Sequence, residues 1–265
     1  MKSLNLTPAE SLIIISPGSN GFEMIKLTLM DLLLKKALKI YREDPESRFL
    51  KRQTTVFISN GELENLILKP HEQLLVDMVN NNEFELKEFA KILLKSVSST
   101  DYKNLYIREP LINNGYFKKQ RKMLLALVPY NAYILTEKGN EVKSIIMTIL
   151  DEAEYLGKWM REDLGMAKAY LSVVGSHILL VNDYDLEDIK KFNKILSTLK
   201  PEAKTSDYYN YYLYTIPFDY IDEYGNLKSF DFLDIDILNN FDVLDDFFSE
   251  FDLISDTVAD VSSGD

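Results

Sequence analysis

The chain has 265 residues, 46% of them hydrophobic, enough for one large core or two ordinary ones and too apolar for global disorder. It has no cysteine, which excludes disulfides, thiolate zinc sites, iron–sulfur clusters and a cysteine nucleophile. Its net charge of −12 is unevenly placed: residues 201–265 hold 16 Asp and Glu against Lys204 and Lys228, a net −14, while the first 200 residues sum to +2.

At the N-terminus the apolar run 12–15 is too short for a secretory core and follows Pro8 and Glu10. The expected location is the cytoplasm. The segment Leu6-Thr7-Pro8-Ala9-Glu10-Ser11-Leu12 reads as a helix start, with Thr7 as cap, Pro8 at the first position and Glu10 completing a capping box. After a turn at residues 17–21, the spacing of Leu29, Leu32, Leu33 and Ala37 predicts a helix over 28–42. A β-type run at 54–58 within 49–59 closes at Asn60-Gly61.

Leu68-Lys69-Pro70-His71-Glu72-Gln73-Leu74 repeats the form Leu-x-Pro-x-Glu-x-Leu of the first helix start. Leu86, Phe89, Ala90, Leu93, Leu94 and Val97 then give an amphipathic helix. A third segment, 102–114, ends at Asn113-Asn114-Gly115. Residues 123–128, a turn at 129–131 and residues 132–135 read as a hairpin, and Thr136 opens a long helix whose apolar face is Val142, Ile145, Ile146, Ile149, Leu150, Leu156 and Trp159.

Leu111-Ile112-Asn113-Asn114-Gly115-Tyr116, the hairpin and Leu135-Thr136-Glu137-Lys138-Gly139 together resemble the end of a winged-helix domain. There a helix stops at a glycine, a two-stranded wing follows, and a Leu-Thr-x-x-Gly turn starts the next helix. The resemblance covers residues 68–150 and, more loosely, 5–62. It implies two tandem winged-helix-like units, and as a resemblance of fold it assigns no function.

Farther on, residues 166–181 read as a buried helix, short of the roughly 20 residues needed to span a membrane. A second helix is expected over 186–199, a tyrosine-rich β-like stretch over 208–220, and alternating acidic and large apolar residues over 229–256.

Two basic groups are candidate phosphate contacts: Lys35, Lys36 and Lys39 on the expected helix of the first unit, and Lys118, Lys119, Arg121 and Lys122 just before the hairpin of the second. The alternative is a solvated face and charges flanking an apolar strand, favoured by Pro110 inside the helix that would read DNA and by the low charge of the first 200 residues. Asp231, Asp234, Asp236 and Asp242 lack the glycine and terminal glutamate of a calcium loop. The only histidines are His71 and His177, and His177 is expected to be a core residue with a hydrogen-bonded ring nitrogen. No catalytic, cofactor-binding or metal-ligating residues, and no cofactor, are expected. Phe241, Leu244, Phe248 and Phe251 would share one helical face, set among acids, suited to a partner groove or to the protein's own body.

The expected fold is therefore mainly α with short β-hairpins (α+β). It divides into a winged-helix-like unit at 1–65, a second with a long helix at 66–162, a helical pair at 163–203 and an acidic C-terminal segment at 204–265. Three functions fit: a non-enzymatic protein-interaction or assembly protein with winged-helix-like units as scaffold, a DNA-binding transcriptional regulator with an autoinhibitory acidic tail, or a membrane-surface lipid-headgroup binder without a membrane span.

Overall fold

The computed structural model describes residues 5–43, 55–61, 63, 66–80, 82–124 and 128–181. The expectations for 186–199, 208–220 and 229–256, including Phe241, Leu244, Phe248 and Phe251, lie outside these residues. The fold is mainly α with short antiparallel sheets.

Helix α1 (Pro8–Ile15) starts as the sequence expects. The Thr7 hydroxyl accepts from Glu10 N at 3.2 Å, and the Glu10 carboxylate accepts from Thr7 N at 2.9 Å. Helix α2 (Gly21–Leu34) begins earlier than expected because Asn20 caps it, accepting from Phe22 N at 3.0 Å. It also ends earlier, at Lys36, whose φ of 58° stops the helix. Residues 38–42, expected to continue the helix, lie in strand β1 (Leu38–Glu43). Leu38 and Ile40 are buried and Lys39 is exposed, so a period of two wins over the helical propensity of the lysines.

Strand β2 (Thr55–Asn60) pairs antiparallel with β1, with Ile40 opposite Ile58, and the rings of Tyr41 and Phe57 stack at 5.6 Å. Helix α3 (Pro70–Val79) follows, its Glu72 carboxylate accepting from Lys69 N at 2.7 Å. Strand β3 (Phe84–Glu85) adds to the other edge of β2, and helix α4 (Leu86–Ser96) buries Leu86, Phe89, Ala90, Leu93 and Leu94.

Next comes a helical run of α5 (Ser99–Asp101), a π-helical stretch (Tyr102–Arg108) and α6 (Glu109–Asn113). Pro110 accounts for the widening: it has no N–H for the Tyr106 carbonyl, and its ring would crowd that carbonyl in a regular α-helix. The His71 ring donates a hydrogen bond to the Tyr106 backbone instead.

Strands β4 (Phe117–Leu124) and β5 (Val128–Leu135) form a two-stranded ribbon. Helix α7 (Glu137–Asp151), a 3-10 turn (Glu152–Tyr155), α8 (Leu156–Glu162), α9 (Leu164–Val174) and a second 3-10 turn (Gly175–Leu180) complete the described chain. Among the described residues no helix is long and apolar enough to cross a membrane.

These residues fall into two compact units, 20–106 and 5–19 with 107–181. In the first, Met24, Ile25, Leu29 and Leu32 of α2 are buried together with Leu75 and Val79 of α3, Phe89 and Leu93 of α4, and Tyr102. In the second, α1 packs on α7, and Ala153, Leu156, Met160, Ala167, Tyr170, Leu171, Val174 and Ile178 make a core around α8 and α9. The Tyr170 hydroxyl donates to the Ile149 carbonyl at 3.0 Å.

Candidate functional site

The β4–β5 hairpin grows out of a tightly specified base. Helix α6 ends in a left-handed Gly115 with φ of 76°. Tyr116 N donates to the Leu111 carbonyl and Gly115 N to the Ile112 carbonyl, both at 2.9 Å, the two bonds of a Schellman stop. At the other side of the base, Thr136 N donates to the Tyr116 carbonyl at 3.0 Å, and the Thr136 hydroxyl lies 2.7 Å from the Gly115 carbonyl while accepting from Gly139 N at 3.0 Å. A Cβ on Gly139 would collide with the Tyr116 carbonyl oxygen, so the glycine of the Leu-Thr-x-x-Gly turn is required by close backbone approach. Lys138 Nζ sits 4.2 Å from the Tyr116 ring centroid and donates to the Asn114 carbonyl.

The strands continue from this base through seven further register pairs, from Lys118 opposite Ile134 to Leu124 opposite Val128. The turn expected at 129–131 is not there: Pro129, Tyr130 and Asn131 belong to β5, opposite Met123, Lys122 and Arg121. A two-stranded ribbon leaves alternate N–H groups of each strand unpaired, so a proline is tolerated in it. Lys118, Lys119, Arg121 and Lys122, expected ahead of the hairpin, lie within β4. Every β4 side chain from Lys118 to Met123 is exposed, so no apolar alternation marks that stretch of the strand.

All four of these cations are exposed. No acidic residue occurs between Glu109 and Glu137, so the hairpin carries +4. Toward its far end, Met123 is 55% and Tyr130 46% exposed, and Pro129 is exposed as well. The residues joining the strands in sequence, Leu125-Ala126-Leu127, are also uncharged.

The other basic group separates from these four. Lys35, at the end of α2, is held by two buried carboxylates: its Nζ meets Asp31 Oδ2 at 2.8 Å and Glu72 Oε1 at 2.6 Å. Burial works against its charge, but Asp31 and Glu72 outweigh it and raise its pKa above the usual lysine range. Such a lysine is committed to the fold rather than to a phosphate. Lys36 occupies the left-handed helix stop, and Lys39 is exposed on β1. None of the three lies on the extended helix expected for them.

Two further polar clusters are internal. Ser11 Oγ and His177 Nε2 lie 2.8 Å apart, so His177 has the hydrogen-bonded ring nitrogen expected of it. Ser11 is fully buried, which leaves the pair as a tie between α1 and the second 3-10 turn. Around α3, the Tyr102 hydroxyl donates to the His71 carbonyl at 3.2 Å, and burial raises the Tyr102 pKa well above its ordinary value. Among the described residues no group of three His, Cys, Asp or Glu side chains could hold a metal ion.

Arg108, Tyr130, Tyr133 and Met123 were not singled out in the sequence. Tyr130 was hidden inside an expected turn. Arg108 stood alone in sequence, 25 positions from the Tyr133 ring it meets. No family model, no curated protein and no solved structure matches the chain.

Proposed function

We propose that the protein is a non-enzymatic peripheral binder of anionic membrane surfaces, with the β4–β5 hairpin as its contact element. One observation carries this reading: an acid-free ribbon places four exposed cations along its middle and the exposed side chains of Met123, Pro129 and Tyr130 toward its far end. That order suits a bilayer interface, where apolar and aromatic groups enter the headgroup boundary and lysines stay at the phosphate level. Duplex DNA or an acidic protein face would be met better by cations at the end of the ribbon, with no apolar residues beyond them. The chain order of α3, β3, α4, the helical run 99–113 and the hairpin supports the winged-helix resemblance, and in this reading such units are the scaffold that carries the hairpin.

Flotation with phosphatidylcholine vesicles, with and without phosphatidylserine, tests the proposal. Each lysine near an anionic surface contributes about 1 kcal/mol, so Lys118→Gln with Lys122→Gln weakens binding about thirtyfold. The wild type floats with the anionic vesicles and much less with the neutral ones. Failure to float with the anionic vesicles, or stronger retention by duplex DNA at the same salt, would count against the membrane and for one of the other two functions.

A further inference from the structure

We propose that Arg108 is a positioning residue that fixes the angle of the β4–β5 hairpin through the ring face of Tyr133; this rests on the membrane-contact reading above. Arg108 is only 8% exposed. Its guanidinium carbon lies 4.4 Å from the centroid of the Tyr133 ring, and one terminal nitrogen donates to the Pro17 carbonyl at 3.0 Å. Tyr133 stands on β5 opposite Lys119, on the same face of the ribbon as the buried Phe117. The guanidinium therefore ties the lower half of the hairpin to the loop that follows α1.

The choice of side chain is informative. A buried cation beside a ribbon that already carries +4 is electrostatically unfavourable, and a leucine would fill the same space without that cost. Lys138 also covers a ring, that of Tyr116, while donating to a carbonyl, so what arginine adds is the rigid planar fork that fixes the directions of its ring contact and its Pro17 hydrogen bond together. The result is a directional contact.

Direction matters because the ribbon is a lever. From Lys119 to Leu124 it extends about 17 Å at about 3.4 Å per residue, so a tilt of about 20° at the Tyr133 level moves the far end about 6 Å. An interfacial segment is buried only about 5–10 Å into the headgroup boundary. A swing of that size takes either the apolar end or the lysines out of the layer each requires. Two-stranded ribbons have little stiffness of their own, so a brace on one face is the means of holding the angle.

The absence of native cysteine allows a direct test in the full chain. Nitroxide labels are placed at Gln120→Cys on the hairpin and Glu141→Cys on α7, and the distance distribution is measured by pulsed electron resonance in the wild-type background and in Arg108→Lys, Tyr133→Leu and Tyr133→Phe. Vesicle partition and thermal melting are measured on the same set. The distribution should be narrow in the wild type and Tyr133→Phe, and broadened in Arg108→Lys and Tyr133→Leu. Partition onto phosphatidylserine-containing vesicles should fall about fivefold or more in the two broadened variants, at least the worth of one surface lysine. If Arg108→Lys melts below the assay temperature, the two Tyr133 variants decide the matter, since both leave Arg108 in place. Unbroadened distances and unchanged partition in Tyr133→Leu, or equal losses in Tyr133→Phe and Tyr133→Leu, overturn the positioning role. A wild type that does not bind the vesicles while still showing the narrow-to-broad change removes the membrane reading and leaves the brace.

Discussion

His71 is a buried ring kept neutral by its surroundings. Burial is the main cause, pushing its pKa down to about 4; the Glu72 carboxylate opposes this, and Lys35 and Lys69 add to it. An unfolded histidine titrates near 6.5, so between about pH 6.5 and 4 the unfolded chain binds a proton that the folded one does not. Stability contributed by the neutral ring is complete above that window and is lost as pH falls through it, by up to about 3 kcal/mol. Urea unfolding at pH 7 and pH 4.5 should show this fall in the wild type and a smaller one in His71→Gln. Equal slopes would mean that His71 is not the group being titrated. His71 and Glu72 were visible in the sequence as part of a helix start, but their partners were not. Glu72 meets Lys35 37 positions away, and an ion pair formed by tertiary packing leaves no local pattern. For that reason Lys35 read as one member of a basic run.

Helix starts and stops were the most legible elements because their chemistry is local. Thr7 and Glu10 make the capping box, Thr136 caps α7, and Gly115 ends α6, each where its residue type requires. The apolar spacing of α4 was legible for the same reason. The long helix expected from Thr136 through Trp159 is divided by the 3-10 turn at Glu152–Tyr155, and two further elements differ from expectation where competing local signals are close in strength. Lys35-Lys36 continued a helical pattern that Lys36 ends, and Pro129-Tyr130-Asn131 looked like a turn although a ribbon with open edges accepts all three as strand. The hairpin base gives a prediction at this scale. Gly139→Ala forces a methyl against the Tyr116 carbonyl oxygen, and overpacking of this kind costs about 1–3 kcal/mol. Calorimetry should show a lowered melting temperature for Gly139→Ala but not for Gly157→Ala, whose new methyl would meet nothing within 4 Å. A Gly139→Ala protein as stable as the wild type would mean that the backbone at the hairpin base yields to make room for the methyl.

At the scale of the molecule, the average charge is a poor guide to binding. A chain of −12 is repelled as a whole by an anionic surface, while its hairpin carries +4. The net negative charge comes from residues 201–265, outside the described residues, which sum to −14 against +2 for the rest, and at about 0.15 M salt the field of a charge is screened within about 8 Å. Contact on that length scale is decided by what the hairpin presents locally. The most direct measurement of membrane contact by the hairpin uses a single environment-sensitive fluorophore at Met123→Cys, with Glu141→Cys as the control, in the otherwise cysteine-free chain. On addition of phosphatidylserine-containing vesicles, the label at 123 should shift to the blue and be quenched by nitroxide-bearing lipid, while the label at 141 changes little. A label at 123 that stays in a water-like environment and escapes the lipid quencher, on protein that has bound the vesicles, would show that a surface other than the hairpin makes the contact.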